Sequence, residues 1–200
     1  MAHVSSAVVR IETSGDRAAV SAVIEQAFEA EAAGEGVRVR GLEQALQTAM
    51  APRDRLALVA EHGRQIVGQA LLTRGWVDAD QRLVQAWVLS PISVRPDHQH
   101  TGIGRELLTG VIACATRAAA ERPADDPERR VHIFLEGDPG FYRKFGFVPG
   151  DRAGFTAPSV RIPPSAFQVL AVAEAPGVSG ALVYPDVFWA HDCVGLRRGA

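Results

Sequence analysis

Residues 92–105 read ISVRPDHQHTGIGR, a stretch that combines a β-branched run, a short polar loop and two closely spaced glycines. The β-branched run ends at Val94, and Gly102 and Gly104 open a long amphipathic segment. Glycine lets the backbone approach a ligand closely, and the start of a helix presents unpaired N–H groups. The stretch therefore predicts a loop that joins a strand to a helix and binds phosphate with its backbone.

These glycines are also compatible with two other structures, a dinucleotide-binding loop and an ordinary tight turn. A dinucleotide-binding fingerprint needs a third glycine at position 107 and follows the first strand of a βαβ unit, but Leu107 stands there and several elements precede the loop. Dinucleotide binding is therefore disfavoured. An ordinary tight turn before a helix would use the same two glycines without any ligand.

The sequence before this loop predicts strands and two helices. Ser14 is predicted to cap the first helix, which follows a strand over 8–12. The apolar stripe of that helix consists of Val20, Val23, Ile24, Ala27 and Phe28. The other elements are a helix over 41–49 and strands over 56–60, 65–73 and 83–94. Pro91 marks a bulge or an edge in the last of these strands.

The sequence after the loop predicts one long helix and several shorter elements. The long helix covers 102–120, with Ile103, Leu107, Val111 and Ala118 along one face. A charged loop follows over 121–130. The remaining elements are a strand over 131–135, a short helix over 139–145, a long loop over 150–164, and strands over 168–172 and 181–184. This order predicts a single α+β domain around one mixed sheet.

Composition narrows the class of protein. The 200 residues carry a formal net charge of −2, so no basic field favours nucleic acid. No apolar run approaches the roughly 20 residues that span a bilayer, and residues 1–14 lack the apolar core of a signal peptide. Two cysteines cannot form a disulfide framework, and His98 and His100 lack a third metal ligand. We expect a cytoplasmic protein that binds no nucleic acid, membrane or metal.

Two motifs resemble those of the GCN5-related N-acetyltransferase (GNAT) superfamily. The sequence QHTGIG at 99–104 is similar to its signature Gln/Arg-x-x-Gly-x-Gly/Ala, and FYRKFGF at 141–147 is similar to a second family feature. The sequence GDPGFY at 137–142 also resembles a bacterial subgroup of predicted N-acetyltransferases. The resemblance implies a GNAT-type fold over 1–200, in which helices flank a mixed, splayed sheet of about seven strands. It places the core motifs at 83–147 and C-terminal strands at 165–190.

The resemblance implies that acetyl-CoA is the cosubstrate. Backbone N–H groups along the loop would hold its pyrophosphate, and the strand edge at Ile92, Ser93 and Val94 would pair with its pantetheine arm. The loop positions carried over from the family are Gln99, His100, Thr101, Gly102, Ile103, Gly104 and Arg105. The sheet is expected to open beside this strand, with Pro91 as a local cause.

Tyr142 matches the family position that often protonates the departing thiolate. A tyrosine has a pKa of about 10, so it is protonated at neutral pH and can supply that proton. The alternative is a tyrosine that only packs against the cofactor. The common family asparagine before this tyrosine is not evident, because Glu136, Gly137 and Asp138 occupy the approach.

The sequence does not single out a general base. Residues 83–94 contain no Asp or Glu, so the usual family location is empty. Glu136 is a candidate, and so are Glu29 and Glu31, although each also suits a solvated surface charge.

The function implied by the resemblance is N-acetylation of a primary amine by direct attack on the thioester. A small molecule or a protein could be the acceptor, and a homodimer is one possible assembly. Two alternatives stay open, an acyl-CoA sensor without chemistry and an acyltransferase that uses a different acyl-CoA.

Overall fold

A computed structural model describes residues 7–174 and 177–195 of the chain. Five α-helices lie in these residues: α1 Arg17–Glu29, α2 Glu35–Ala49, α3 Ile103–Ala120, α4 Pro139–Tyr142 and α5 Asp186–Ala190. Nine strands form a mixed sheet: β1 Val8–Ile11, β2 Arg55–His62, β3 Gln65–Ala79, β4 Arg82–Val94, β5 His132–Glu136, β6 Val148–Pro149, β7 Phe155–Thr156, β8 Phe167–Ala171 and β9 Gly180–Val183. The predicted α+β class is confirmed, and the two strands beyond the expected seven are the two-residue β6 and β7.

The chain divides into two compact units, and the first contains the residues up to Thr73 together with Ser90–Ile112. In this unit β1 and β2 are antiparallel, as are β2 and β3. α1 and α2 bury Val20, Ile24 and Val39 against Val59 of β2. The apolar stripe predicted for α1 is therefore confirmed as a core face.

The predicted start of α2 was wrong, because the helix begins at Glu35 and not near residue 41. The poor helix propensity of the glycines at 34 and 36 is the physical reason for the later predicted start. Gly34 does separate the two helices, with a φ of 81°, but Gly36 lies inside α2. A Cβ at Gly36 would lie 2.4 Å from the carbonyl oxygen of Glu25, so this glycine permits close contact between the backbones of α1 and α2.

The predicted capping role of Ser14 was also wrong. Ser14–Asp16 forms a short 3-10 helix, and α1 begins at Arg17. The Asp16 carboxylate instead accepts hydrogen bonds from the N–H and the hydroxyl of Thr13, both at 2.8 Å, and from two guanidinium nitrogens of Arg10. These bonds, that to Arg10 above all, hold the pKa of Asp16 well below its usual value.

The second unit contains Arg74–Leu89 and the residues from Ala113 onward. Here β4 runs parallel to β5, and β5 is antiparallel to β8. The strand predicted over 65–73 extends to Ala79, because its last residues pair with β9 from Trp76 opposite Val183 to Asp78 opposite Ala181. Residues 74–79 therefore belong to this strand.

An aromatic cluster fills the core of the second unit. The ring of Phe134 lies 4.9 Å from that of Phe155 and 5.8 Å from that of Phe167, and His132 contacts Phe155 at 5.1 Å. Within the range expected to hold C-terminal strands, residues 186–190 form α5 instead. The apolar face predicted for α3 is confirmed at Ile103, Leu107 and Val111, which are buried. Its last predicted member was wrong, because Ala119 is buried and Ala118 is only partly so.

Candidate active site

The predicted phosphate loop connects β4 to α3 in the first unit. β4 contains Pro91 and ends at Val94, and the N–H of Arg95 donates to the carbonyl of Val67 at 2.9 Å. A 3-10 helix over Pro96–His98 follows before α3 begins at Ile103. The strand, loop and helix predicted from the sequence are thus present.

Two polar side chains fold this loop back on itself. The Gln99 amide donates to the carbonyl of Val94 at 3.1 Å, and the Thr101 hydroxyl donates to the carbonyl of His98 at 2.6 Å. His100 has a φ of 61° and Gly102 a φ of 99°. Glycine adopts such angles without strain, so Gly102 suits the sharp turn that leads into α3.

The first turn of α3 supplies the hydrogen-bond donors of the site. The N–H of Glu106 donates to the carbonyl of Gly102 at 3.1 Å, whereas the N–H groups of Ile103, Gly104 and Arg105 precede the first acceptors of the helix. Residues 99–102 and Arg105 are exposed and Gly104 is half-buried, whereas Ile103 is buried, so a ligand can approach this end of the helix from the side of the loop. The aligned peptide dipoles of the 18-residue α3 add partial positive charge at the same end. This geometry fits a pyrophosphate.

Close packing fixes the start of α3 against the sheet. A Cβ at Gly68 of β3 would lie 2.9 Å from Cδ1 of Leu107 and 3.1 Å from Cγ2 of Ile103. The helix therefore approaches β3 at a position where only a glycine leaves room. Ser93 is buried on β4, and its hydroxyl accepts a hydrogen bond from Gln69 at 3.0 Å. Ile92 and Val94 on either side of it are half-buried.

A small ion-pair network borders the loop. The Asp97 carboxylate contacts Nδ1 of His98 and the Arg95 guanidinium, both at 2.8 Å. Hydrogen bonds from His98 and then Arg95 lower the pKa of Asp97. Asp97 therefore balances the charge of Arg95 beside the loop.

Tyr142 ends α4 in the second unit. The Asp138 carboxylate caps this helix by accepting a hydrogen bond from the N–H of Gly140 at 2.8 Å. Only 8% of Tyr142 is exposed, and its ring contacts those of Phe141 and Phe147. A Cβ at Gly137 would lie 2.4 Å from Cε2 of Tyr142, so the ring rests directly on the backbone of Gly137.

Glu136 is the last residue of β5, and its carboxylate is engaged on both oxygens. Oε1 accepts a hydrogen bond from the Tyr184 hydroxyl at 2.9 Å, and Oε2 accepts one from the N–H of Gly195 at 3.1 Å. Burial raises the pKa of Glu136, although the two hydrogen bonds oppose this shift. Burial and the neighbouring Glu136 raise the pKa of Tyr184.

The other carboxylates named as bases lie on or beside α1. The Glu29 carboxylate accepts hydrogen bonds from the N–H groups of Gly34 and Gly36, at 2.9 Å and 3.3 Å for Oε2, so it stabilises the turn into α2. Glu31 is exposed in that turn. The predicted cofactor residues and these two carboxylates thus belong to the first unit, whereas Glu136 and Tyr142 belong to the second.

Sequence reasoning missed three residues around Glu136 and Tyr142. Tyr184 and Gly195 bind Glu136 from 48 and 59 residues away, and no local pattern indicates such long-range pairs. Gly137 stands inside the quoted GDPGFY motif, which was the available signal, but its contact with Tyr142 needs the fold. The described residues contain no cluster of three or more His, Cys, Asp or Glu side chains suited to a metal. None of the described helices has the length and hydropathy needed to cross a membrane.

Comparison with known proteins identifies an acetyltransferase domain within the chain. Residues 53–149 match the family model described as acetyltransferase (GNAT) domain. No curated protein matches the chain in sequence. The chain resembles the solved GNAT family N-acetyltransferase YhbS from Escherichia coli, in complex with CoA, with 22% identity, 91% of each chain covered and a TM-score of 0.74.

Two further solved structures are similar. A GNAT family acetyltransferase from Brucella melitensis, in complex with acetyl-CoA, has 25% identity and a TM-score of 0.67, with 91% of this chain and 97% of that chain covered. The ribosomal-protein-S18-alanine N-acetyltransferase from Escherichia coli has 17% identity and a TM-score of 0.55, with coverages of 86% and 97%. The matched domain includes the β4–α3 loop, Glu136 and Tyr142. Taken with the β4–α3 loop described above, the family match identifies residues 53–149 as a GNAT acetyltransferase domain.

Proposed function

We propose that the chain is an acetyl-CoA-dependent N-acetyltransferase that transfers an acetyl group to a primary amine by direct attack. The observation that carries this proposal is the β4–α3 loop, in which an exposed turn held by Gln99 and Thr101 leads into the first turn of α3, where the N–H groups of Ile103, Gly104 and Arg105 precede the first acceptors of the helix. Two similar structures contain CoA and acetyl-CoA, which supports the same ligand here.

The chain's own residues would bind the cosubstrate through its backbone. The N–H groups at 99–105 would hold the pyrophosphate, with Gly102 and Gly104 leaving room for it. The edge of β4 at Ile92, Ser93 and Val94 would pair with the amides of the pantetheine arm. When bound, acetyl-CoA supplies an activated acetyl thioester.

Tyr142 is proposed as the general acid. The amine nitrogen forms a bond to the acetyl carbonyl carbon, the carbon–sulfur bond breaks, and the Tyr142 hydroxyl gives its proton to the thiolate sulfur. The attacking amine must lose a proton in the same sequence, and bulk solvent or a carboxylate can accept it. Packing of the Tyr142 ring on Gly137, Phe141 and Phe147 would hold the hydroxyl in one orientation.

One observation favours a second candidate, an acyl-CoA sensor without chemistry. β4 carries no Asp or Glu, and both carboxylate oxygens of Glu136 already accept hydrogen bonds. A protein without a base could bind acetyl-CoA and not turn it over.

Two measurements separate these functions. Calorimetry with acetyl-CoA, and with longer acyl-CoAs, tests binding and acyl-chain preference. Thiol release from acetyl-CoA with a panel of amines, small molecules as well as peptides, tests turnover. The proposal expects binding and amine-dependent thiol release. Binding without thiol release for any amine supports the sensor, and no binding of any acyl-CoA refutes both.

A further inference from the structure

Three segments that are distant in sequence meet at the Glu136 carboxylate. Glu136 ends β5, Tyr184 follows β9, and Gly195 lies beyond α5. The Tyr184 hydroxyl donates to Oε1 at 2.9 Å and the Gly195 N–H donates to Oε2 at 3.1 Å. Each oxygen thus binds a different part of the C-terminal segment, residues 184–195, which we call the strap.

Burial makes these two hydrogen bonds important. Tyr184 is 5% exposed and Val194 is fully buried, and the Tyr184 ring packs on Phe188 at 4.7 Å. Within the described residues Glu136 makes no ion pair, and Arg161 pairs with Asp192 of the strap instead. The partly buried Glu136 carboxylate, on which Arg161 acts only through a weaker charge interaction, depends mainly on hydrogen-bond donors for its stability. Glu136 and the strap therefore stabilise each other through these two hydrogen bonds.

The Gly137 peptide, which follows Glu136 in the chain, links the Glu136 carboxylate to the Tyr142 ring. The N–H of Gly137 donates to the carbonyl of Ala166 at 3.0 Å, and its carbonyl accepts a hydrogen bond from Gln168 at 3.0 Å. With both polar groups bound, Gly137 presents its Cα to the Tyr142 ring at a distance that excludes any Cβ. Displacement of Glu136 would therefore move the surface on which the Tyr142 ring rests.

We propose that Glu136 is a positioning residue whose carboxylate latches the strap to the end of β5 and so holds Gly137 and the Tyr142 ring in place. The kinetic part of this inference rests on the acid role proposed above for Tyr142. The positioning role is an alternative to the role of Glu136 as a general base. If Glu136 acts as a latch, loss of the Tyr184 hydroxyl should have the same effect as loss of the Glu136 carboxylate. If Glu136 acts as a base, its carboxylate can accept a proton without the Tyr184 hydroxyl.

Hydrogen exchange tests the latch without reference to activity. Glu136→Gln removes the charge, and Tyr184→Phe keeps the ring and removes only the donor. We expect amides at 186–195, that of Gly195 included, to exchange about 10- to 100-fold faster in both variants, the range that loss of a hydrogen bond to a charged group implies. Glu121→Gln is the control, because Glu121 is exposed after α3. Unchanged exchange in both variants would overturn the latch.

Kinetics then separate positioning from base catalysis. We expect Glu136→Gln and Tyr184→Phe to lower kcat by similar factors, to leave the KM for acetyl-CoA unchanged and to have no further effect on kcat in a Tyr142→Phe background. A large loss in Glu136→Gln alone, with the acidic limb of the pH–rate profile abolished and the effect retained beside Tyr142→Phe, would identify a base and refute the proposal. If no amine supports turnover, the proposed function fails, while the exchange comparison still decides the latch.

Discussion

The ring of Tyr142 rests on the backbone of Gly137 so closely that a Cβ at Gly137 would lie 2.4 Å from Cε2 of the ring. Real side chains essentially never tolerate such a distance, so an added methyl group must displace either the ring or the backbone. The general-acid proposal depends on the orientation of this ring. A substitution at Gly137 therefore tests that proposal directly, because it leaves Tyr142 itself unchanged.

Gly137→Ala is expected to lower kcat by displacing the Tyr142 hydroxyl, and to reduce the free energy of unfolding by about 1–3 kcal/mol through overpacking. Steady-state kinetics and urea denaturation measure the two effects. Gly15→Ala is the matched control, because a Cβ there would meet its nearest neighbour at an ordinary 3.8 Å. Wild-type kcat in Gly137→Ala would show that the ring position does not matter for catalysis.

Tyr142→Phe keeps the ring and removes the proposed proton donor. We expect kcat to fall about 10²- to 10⁴-fold, the usual contribution of general acid catalysis, with little change in acetyl-CoA affinity. A saturation series in both substrates gives the two quantities. A loss of affinity with kcat preserved would instead make Tyr142 a cofactor-anchoring group, and a fully active variant would leave it only a packing role.

Gly104→Val tests the phosphate loop. A branched side chain in the first turn of α3 would occupy the space needed by the pyrophosphate, so the affinity for acetyl-CoA should fall by about 10- to 100-fold. Calorimetry measures the affinity, and circular dichroism checks the fold. Thr109→Val places the same side chain at an exposed position of α3 and should bind normally. Equal affinities for the two variants would contradict the loop assignment.

The buried His132 is expected to make the free energy of unfolding depend on pH. Burial lowers the pKa of His132 to about 4 from an ordinary value near 6.5, so the unfolded chain binds the proton more tightly than the folded one. Stability due to this group is fully present above pH 6.5 and is lost as the pH falls towards 4, by about 2 kcal/mol at pH 5.

Carboxyl groups also titrate in this pH range, so measurements on the wild type alone do not isolate the effect of His132. His132→Phe suits the aromatic cluster with Phe134 and Phe155 and removes the titration. Urea denaturation of both proteins at pH 7.5 and pH 5 gives the comparison. The wild type should lose about 2 kcal/mol more than the variant between these pH values, and equal losses would refute the assignment.

Local patterns predicted the parts of the site that are local in sequence. The turn at Gly102 and the start of α3 follow from glycines and periodicity within one short stretch, and the structure confirms both. The fold class also followed, because the order of strands and helices limits the packing of layers. The functional roles assigned to Gln99, Gly104, Tyr142 and Glu136 stay predictions until they are measured.

What the sequence did not predict depends on contacts between distant residues. Gly36 indicated a helix break because its propensity is poor, whereas its contact with the Glu25 carbonyl decides its place inside α2. Strands β6 and β7 have two residues each and are too short for any periodicity. The Glu136–Tyr184 hydrogen bond joins two elements that only the complete sheet brings together.

Amine-dependent acetyl transfer is the central claim, and product analysis tests it most directly. Purified protein is incubated with acetyl-CoA and a broad panel of amines, and mass spectrometry follows the acetylated amine while a thiol reagent follows CoA. We expect one acetylated amine for each thiol released, with both signals falling about 10- to 100-fold in Gly104→Val at limiting acetyl-CoA. Tight binding of acetyl-CoA with no acetylated product from any amine would contradict it.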